Sequence, residues 1–231
     1  VATNEVTIGH AGTNNINGIA LHPQSNVLYG VAGGRLGIID TDSGRFHGAI
    51  VRIGRVRGPR GGKDVRSVQG LTFDPRNEQL YASVSKSNRD LLIKLDLRTG
   101  LPVYGAFDGD DYVSLDRIGR HDNVKDIAID PVDSALYAVV TTSRTNYIVR
   151  YDADTGGVVS FRQGNLDAHV EGLGFDAQGQ LWAVGSLGSR FEFLWPVDKN
   201  TGYFGPGVPL NNGTDYEGVE CYSVEYPGLS P

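Results

Sequence analysis

One self-similar pattern runs through the 231 residues and leaves few folds open. Gly18-Ile-Ala-Leu-His-Pro23 leads after ten residues to Leu28-Tyr29, and Gly70-Leu-Thr-Phe-Asp-Pro75 leads after ten to Leu80-Tyr81. Asp126-Ile-Ala-Ile-Asp-Pro131 leads after ten to Leu136-Tyr137, and Gly172-Leu-Gly-Phe-Asp176 leads after nine to Leu181-Trp182. A second mark closes each copy: Asp40-Thr-Asp-Ser-Gly44, Asp96-Leu-Arg-Thr-Gly100, Asp152-Ala-Asp-Thr-Gly156 and Asp198-Lys-Asn-Thr-Gly202. A fixed period of this size marks a repeat architecture.

Each copy predicts four short strands. The apolar run after Gly18 or Gly70 has little polar alternation, as a strand buried on both faces would. A proline then ends the pairing, because it lacks an N–H and fixes φ. Leu-Tyr or Leu-Trp anchors a second strand. A third ends at Asp-x-x-x-Gly, where the carboxylate can accept turn N–H groups and Gly can take positive φ. The fourth is expected over Phe46–Ile53, Val103–Phe107 and Val158–Arg162 in the first three copies. Four antiparallel strands in some 45–55 residues form a β-propeller blade. Blades are expected at about 15–54, 66–107, 123–163 and 168–210. A reduced closing blade, residues 214–231 with 1–10, would complete a five-bladed ring in one domain.

Thirty-two glycines suit a chain of many tight turns. A net charge of −6 argues against general nucleic-acid affinity. A lone cysteine, Cys221, excludes an internal disulfide framework. The absence of methionine and the excess of arginine over lysine lead to the expectation of a processed, exported bacterial protein, secreted or at the cell surface. No apolar stretch approaches the roughly 18 residues of a membrane-spanning helix.

The G-[IL]-x-[FI]-D-P, L-Y and D-x-x-T-G pattern resembles bacterial extracellular propeller repeats of the YVTN, NHL and DUF4394 kinds from Asn15 to Tyr222. That resemblance implies architecture rather than one activity. Glu171-Gly-Leu-Gly-Phe-Asp176 with Leu181-Trp182 is similar to the first strands of gluconolactonase-type and streptogramin-lyase-type propellers. In the gluconolactonase type such a Glu binds a divalent metal in the central channel, so the resemblance implies that role for Glu171. Those enzymes have six or seven inner strands. A weaker resemblance, carried by five histidines and two tryptophans, is to copper-binding propellers of methanotrophs, although no Trp lies two residues before a His.

Aligning the units on Gly18, Gly70, Asp126, Gly172 and Gly218 exposes a ring of candidate residues. One position earlier stand Asn17, Gln69, Lys125, Glu171 and Glu217; three earlier stand Asn15, Ser67, Asn123, His169 and Asp215. The row between them is Ile16, Val68, Val124, Val170 and Tyr216. Strand alternation places the two polar rows on one face, at the channel mouth. Glu171, Glu217 and Asp215, with Asn17 or Gln69 as a neutral ligand, would suit calcium or another hard divalent cation. Including His169 would shift the preference toward zinc or copper.

Two surface stretches are also unusual. Arg45 to Arg66 holds seven basic residues and one acid, around an expected exposed loop at 58–62. Arg52, Arg55, Arg57, Arg60 and Lys63 are candidates for docking a protein partner, an anionic polysaccharide, lipid head groups, or the acidic stretch Asp108–Asp116 of a neighbouring copy. His10, His22, His47 and His121 are expected at the surface or as turn caps, and no catalytic set assembles from the sequence. The sequence therefore predicts an all-β propeller acting as a secreted binding or assembly module, with self-association among its expected interactions. Metal-dependent lactonase or lyase chemistry and copper binding are the competing readings.

Overall fold

The computed structural model describes residues 8–13, 16–86, 89–119, 122–142, 145–188, 191–210, 216 and 218–221. The first blade is β1 (Ile16–Leu21), β2 (Leu28–Ala32), β3 (Arg35–Ile39) and β4 (Phe46–Arg52). A separate hairpin follows, β5 (Gly54–Val56) and β6 (Lys63–Val65). The second blade is β7 (Val68–Asp74), β8 (Gln79–Val84), β9 (Leu91–Leu95) and β10 (Tyr112–Ser114). The third is β11 (Asn123–Ile129), β12 (Leu136–Thr141), β13 (Asn146–Tyr151) and β14 (Val158–Gln163). The fourth is β15 (His169–Phe175), β16 (Leu181–Leu187) and β17 (Phe191–Asp198), edged by two short strands, β18 (Tyr203–Phe204) and β19 (Val208–Leu210). Within each sheet the strands are antiparallel in sequence order, and no helix occurs among the described residues. None is therefore long and apolar enough to cross a membrane.

This is a β-propeller of four-stranded blades, and the described residues form four of them rather than five. The expected closing blade lies largely outside the described residues. Of it, Tyr216 and Gly218–Cys221 are described, and they form no strand. Gly218 nevertheless stands between the inner strands of the fourth and first blades. A Cβ at Gly172 would lie 2.7 Å from the Gly218 Cα, and one at Gly218 would lie 3.1 Å from Ile19.

Two outer edges differ from expectation for local reasons. In the second blade Val103–Phe107 is not a strand. The chain bridges at Pro102, turns at Gly105 (φ 69°) and returns to pair Tyr112–Ser114 with Leu91–Ile93. In the fourth blade Pro206 and Gly207 interrupt the edge and split it in two, as proline's missing donor requires.

The inner strands β1, β7, β11 and β15 pack in order around the axis. The glycine that opens each repeat marks where neighbouring backbones meet. A Cβ at Gly18 would lie 3.0 Å from the Gly70 Cα, and one at Gly70 would collide with the Asp126 carboxylate. The core lies between blades, in one cluster under blades one and two and two more at the following junctions. The tyrosines of two Leu-Tyr pairs reach the next blade's inner strand: Tyr29 meets Phe73 edge-on at 5.6 Å, and Tyr137 meets Phe175 at 5.5 Å.

All four Asp-x-x-x-Gly turns form as expected. Oδ1 of Asp40, Asp96 and Asp152 each accepts two turn N–H groups at 2.8–3.0 Å. Asp198 accepts the Asn200 N–H and the Thr201 hydroxyl. The closing glycines have φ of 69–76°.

Candidate functional site

The polar ring at the axial mouth is built on a feature that alternation does not reveal. In each inner strand the register slips at the polar residue: between Ile16 and Gly18, Val68 and Gly70, Val124 and Asp126, and Val170 and Gly172. Asn17, Gln69, Lys125 and Glu171 thus each sit at a β-bulge, where the extra residue is left out of the ladder and re-aimed. The row before them is buried at Val68, Val124 and Val170, while Ser67, Asn123 and His169 remain accessible.

The Glu171 carboxylate at this mouth is already paired. Glu171 Oε1 lies 3.4 Å from Lys125 Nζ of the preceding blade and 3.2 Å from His169 Nδ1. The Glu171 and Lys125 side chains are 17 % and 19 % exposed, so the pair is only partly screened. Gln69 donates to Ser67 Oγ at 2.9 Å. A divalent ion on Glu171 would have to share the carboxylate with an ammonium, so the residues around Glu171 do not fit the metal that the resemblance implied. Among the described residues no group of three His, Cys, Asp or Glu converges for a metal. Asn17 is half-buried on β1; Asn15, Asp215 and Glu217 lie outside the described residues.

At the opposite end of the inner strands, Cys221 and Glu220 line a cleft with Pro23, Pro75, Pro131 and Asp176. Burial pushes the Cys221 thiol up to about 12, with the Glu220 and Asp176 charges adding to it, so it is no nucleophile at neutral pH. His22 caps its turn, with Nδ1 facing the N–H groups of Gln24 and Ser25 where other blades use Asp74, Asp130 or Asp176. His10 caps in the same way through the Gly12 N–H; His121 lies outside the described residues.

The basic stretch is more ordered than a loop. Gly54 pairs with Val65, Arg55 with Asp64, and Val56 with Lys63. Alternation buries Val56 and Val65 in the core with Ile53 and leaves Arg55 and Asp64 exposed. Lys63 shares the inward face of Val65, which makes it half-buried against the second blade.

The hairpin is bolted to that blade at several points. The Arg57 N–H donates to Asp111 Oδ2 at 2.7 Å, and the Asp111 N–H donates to the Arg57 carbonyl at 2.8 Å. The Tyr112 hydroxyl accepts the Arg60 N–H at 3.2 Å and donates to the Gly61 carbonyl at 3.1 Å. Gly58 lies flat on the Tyr112 ring, where a Cβ would come within 2.6 Å. Asp111 is buried and accepts the Gly105 N–H as well, at 2.8 Å. The acidic stretch expected to attract the basic one in another copy therefore holds it within the same chain, through backbone groups.

The result is a cleft of about 200 Å³ between hairpin and blade. Arg60 and Lys63 reach it from the hairpin, and Lys86 and Arg89 from the β8–β9 connection, over Tyr112 and Ser114 of β10. Lys86 Nζ donates to the Asp64 carbonyl, tying the two sides together. Arg89 lies 3.7 Å from Asp116. Arg60 and Lys63 have no carboxylate partner among the described residues. Of the five predicted basic residues, Arg60 and Lys63 line this cleft, whereas Arg52, Arg55 and Arg57 do not. Lys86, Arg89 and Ser114 went unread, because they belong to another repeat and carry no local charge run.

The fold and these surfaces define a repeat β-propeller with a polar axial mouth, where Glu171 is paired with Lys125, and a lateral basic cleft. Residues 2–189 match the family model described as Repeat of unknown function (DUF6923), so the chain belongs to that family. No curated protein sequence matches the chain. Among solved structures it is similar to a PQQ-bound aldose sugar dehydrogenase from Streptomyces coelicolor, at 18% identity and a TM-score of 0.57 over 93% of this chain and 73% of that one. It is also similar to a chain of a nidogen/laminin complex, at 22% identity and 0.53 over 90% and 68%. A third is Kuenenia stuttgartiensis hydrazine synthase, at 12% identity and 0.51 over 94% and 72%. At these identities the likeness extends to the fold alone.

Proposed function

We propose that the chain is a binding module that docks an anionic partner through the lateral basic cleft. The observation that carries this reading is the convergence of Arg60, Lys63, Lys86 and Arg89 from two separate elements in a protein of net charge −6. Like charges held together cost free energy unless something offsets them, and an anionic partner would supply the offset. The hairpin's hydrogen bonds to Asp111 and Tyr112 fix in advance the backbone that carries Arg60 and Lys63, which lowers the ordering cost of binding. A role outside the cell belongs to the same proposal and draws on the composition.

The test is binding of dextran sulfate against neutral dextran at low salt. The sulfated polymer should bind, with affinity falling steeply as salt rises, and Arg60→Ala with Lys63→Ala should weaken binding by about tenfold or more. Equal retention of both polymers, or an unaffected double variant, would sink the proposal.

A further inference from the structure

We infer that the cleft between the β5–β6 hairpin and the second blade is a site for one tetrahedral oxyanion ester, a phosphate or sulfate group on a small carrier. This rests on the binding-module reading and specifies its ligand. Three observations carry it. The cleft is bounded at about 200 Å³, enough for a single small group rather than a flat polymer footprint. Its cations come from two elements: Arg60 and Lys63 on the hairpin, Lys86 and Arg89 on the β8–β9 connection. Ser114 lines the same cleft, and its hydroxyl is buried with no hydrogen-bond partner among the described residues. A buried polar atom without a partner is uncommon in a folded protein and calls for an explanation.

The ligand chemistry follows from the donor set. A carboxylate has one charge and two coplanar oxygens, which a single guanidinium fork satisfies. This cleft offers two guanidinium groups, two ammonium groups and a hydroxyl. A phosphate monoester carries nearly two charges at neutral pH and three terminal oxygens that diverge, so one group can be met from both elements at once. A sulfate ester has the same three-oxygen shape with one charge. In either case rotation of the Ser114 side chain toward the cleft lets its hydroxyl donate to an oxygen and lose its unpaired state. Asp116 does not close the site, since its contact with Arg89 is long at 3.7 Å and it is itself exposed.

Calorimetric titration of the full chain with glucose 6-phosphate, glucose 6-sulfate and glucuronate tests the assignment. At least one ester should bind with a Kd of about 1 mM or tighter, and glucuronate at least about tenfold more weakly. Phosphate as the source predicts affinity that grows as pH rises through about 6, where the dianion forms; sulfate predicts no such change. Ser114→Ala should weaken the ester about tenfold. Arg89→Lys, which keeps the charge and needs no repacking of β10, should also weaken the ester about tenfold by removing the planar fork. Glucuronate binding as tightly as the esters, or ester binding indifferent to both variants, overturns the inference. If neither ester binds while dextran sulfate is still retained, the inference falls and the binding-module reading stands. If no anion binds at all, both fall.

Discussion

Restoring the repeat's opening glycine in the third unit should damage the protein. Four of the five aligned units carry glycine where the third carries Asp126. Pattern alone would make Asp126→Gly a stabilising consensus change, worth about 0.5–2 kcal/mol. The structure argues the reverse. Asp126 is 2 % exposed, and its carboxylate accepts the Ile127 N–H at 2.8 Å and, across the blade junction, the Leu173 N–H at 2.8 Å. Stripping a buried donor of its acceptor costs about 1–3 kcal/mol, and glycine in a strand adds about 0.5–1. Relief of the carboxylate's own desolvation offsets part of this, leaving a net loss of about 3 kcal/mol. For a domain of this size that lowers the thermal midpoint by about 10 °C. Asp126→Asn keeps one acceptor and should lose about half as much. The same site predicts coupling. Gly70→Ala, whose Cβ would collide with the Asp126 carboxylate, should cost less in the Asp126→Gly background than alone. Calorimetric or urea unfolding of the parent and these four variants reads all of this, and a midpoint that is unchanged or raised by Asp126→Gly would refute the reasoning.

Three further outcomes follow from the same geometry. Glu78 holds φ +58° in the turn after β7, at the position that Gly179 fills in the fourth blade; Glu78→Gly should stabilise by about 0.5–1 kcal/mol in urea unfolding, and a loss would show that the turn is unstrained. Glu171→Gln removes the counter-ion of a mostly buried Lys125 and should cost about 1 kcal/mol, which Lys125→Gln in the same chain should largely recover. Stability should also vary with pH in two opposite ways. Asp40, Asp96 and Asp152 are held below 3.8 chiefly by N–H groups of their own turns, and Asp198 chiefly by the Thr201 hydroxyl. Their pKa is lower folded than unfolded, so their contribution is complete above the unfolded value and is lost as pH falls through the folded one, below about pH 4. Burial instead raises the Glu220 carboxyl well above 4.5, so its protonation should lift the midpoint as pH falls from 7 toward about 5. A pH series by scanning fluorimetry should show that rise in the parent and not in Glu220→Gln.

The fold was legible where a residue's role is set by its own neighbours in sequence. Asp40, Asp96, Asp152 and Asp198 accept hydrogen bonds from turn residues two and three positions on, so the motif carries its whole explanation. The repeat glycines were legible as markers but not as causes, because what forbids a Cβ at Gly18 or Gly172 is the backbone of another unit. The bulges at Asn17, Gln69, Lys125 and Glu171 left no mark beyond a row of polar residues, since a register slip is settled by the facing strand. The second blade's edge went astray at Val103–Phe107 for a related reason. Its β propensity competes with the turn at Gly105, and Tyr112 wins the edge by filling the space beneath Gly58.

The basic stretch shows most clearly how a site emerges from such contacts. Read along the chain, Arg45 to Arg66 is a run of charge with interchangeable members. Folded, the pairing of Val56 with Lys63 and of Arg55 with Asp64 divides them, sending Lys63 inward and Arg55 outward. Tyr112 then catches the turn through the Arg60 N–H and the Gly61 carbonyl, and only Arg60 and Lys63 of the five candidates reach the second blade's cations. The buried anchor is therefore what gives the cleft its shape, and the cations are its lining. Tyr112→Phe separates the two contributions, since it keeps the ring under Gly58 and every positive charge but removes both hydroxyl hydrogen bonds, a loss of about 1–2 kcal/mol. If the anchor matters, the hairpin amides should exchange faster with solvent and anion affinity should fall, although no charge has changed. If charge alone governs binding, affinity will hold while the amides loosen, and the cleft is then no preformed site.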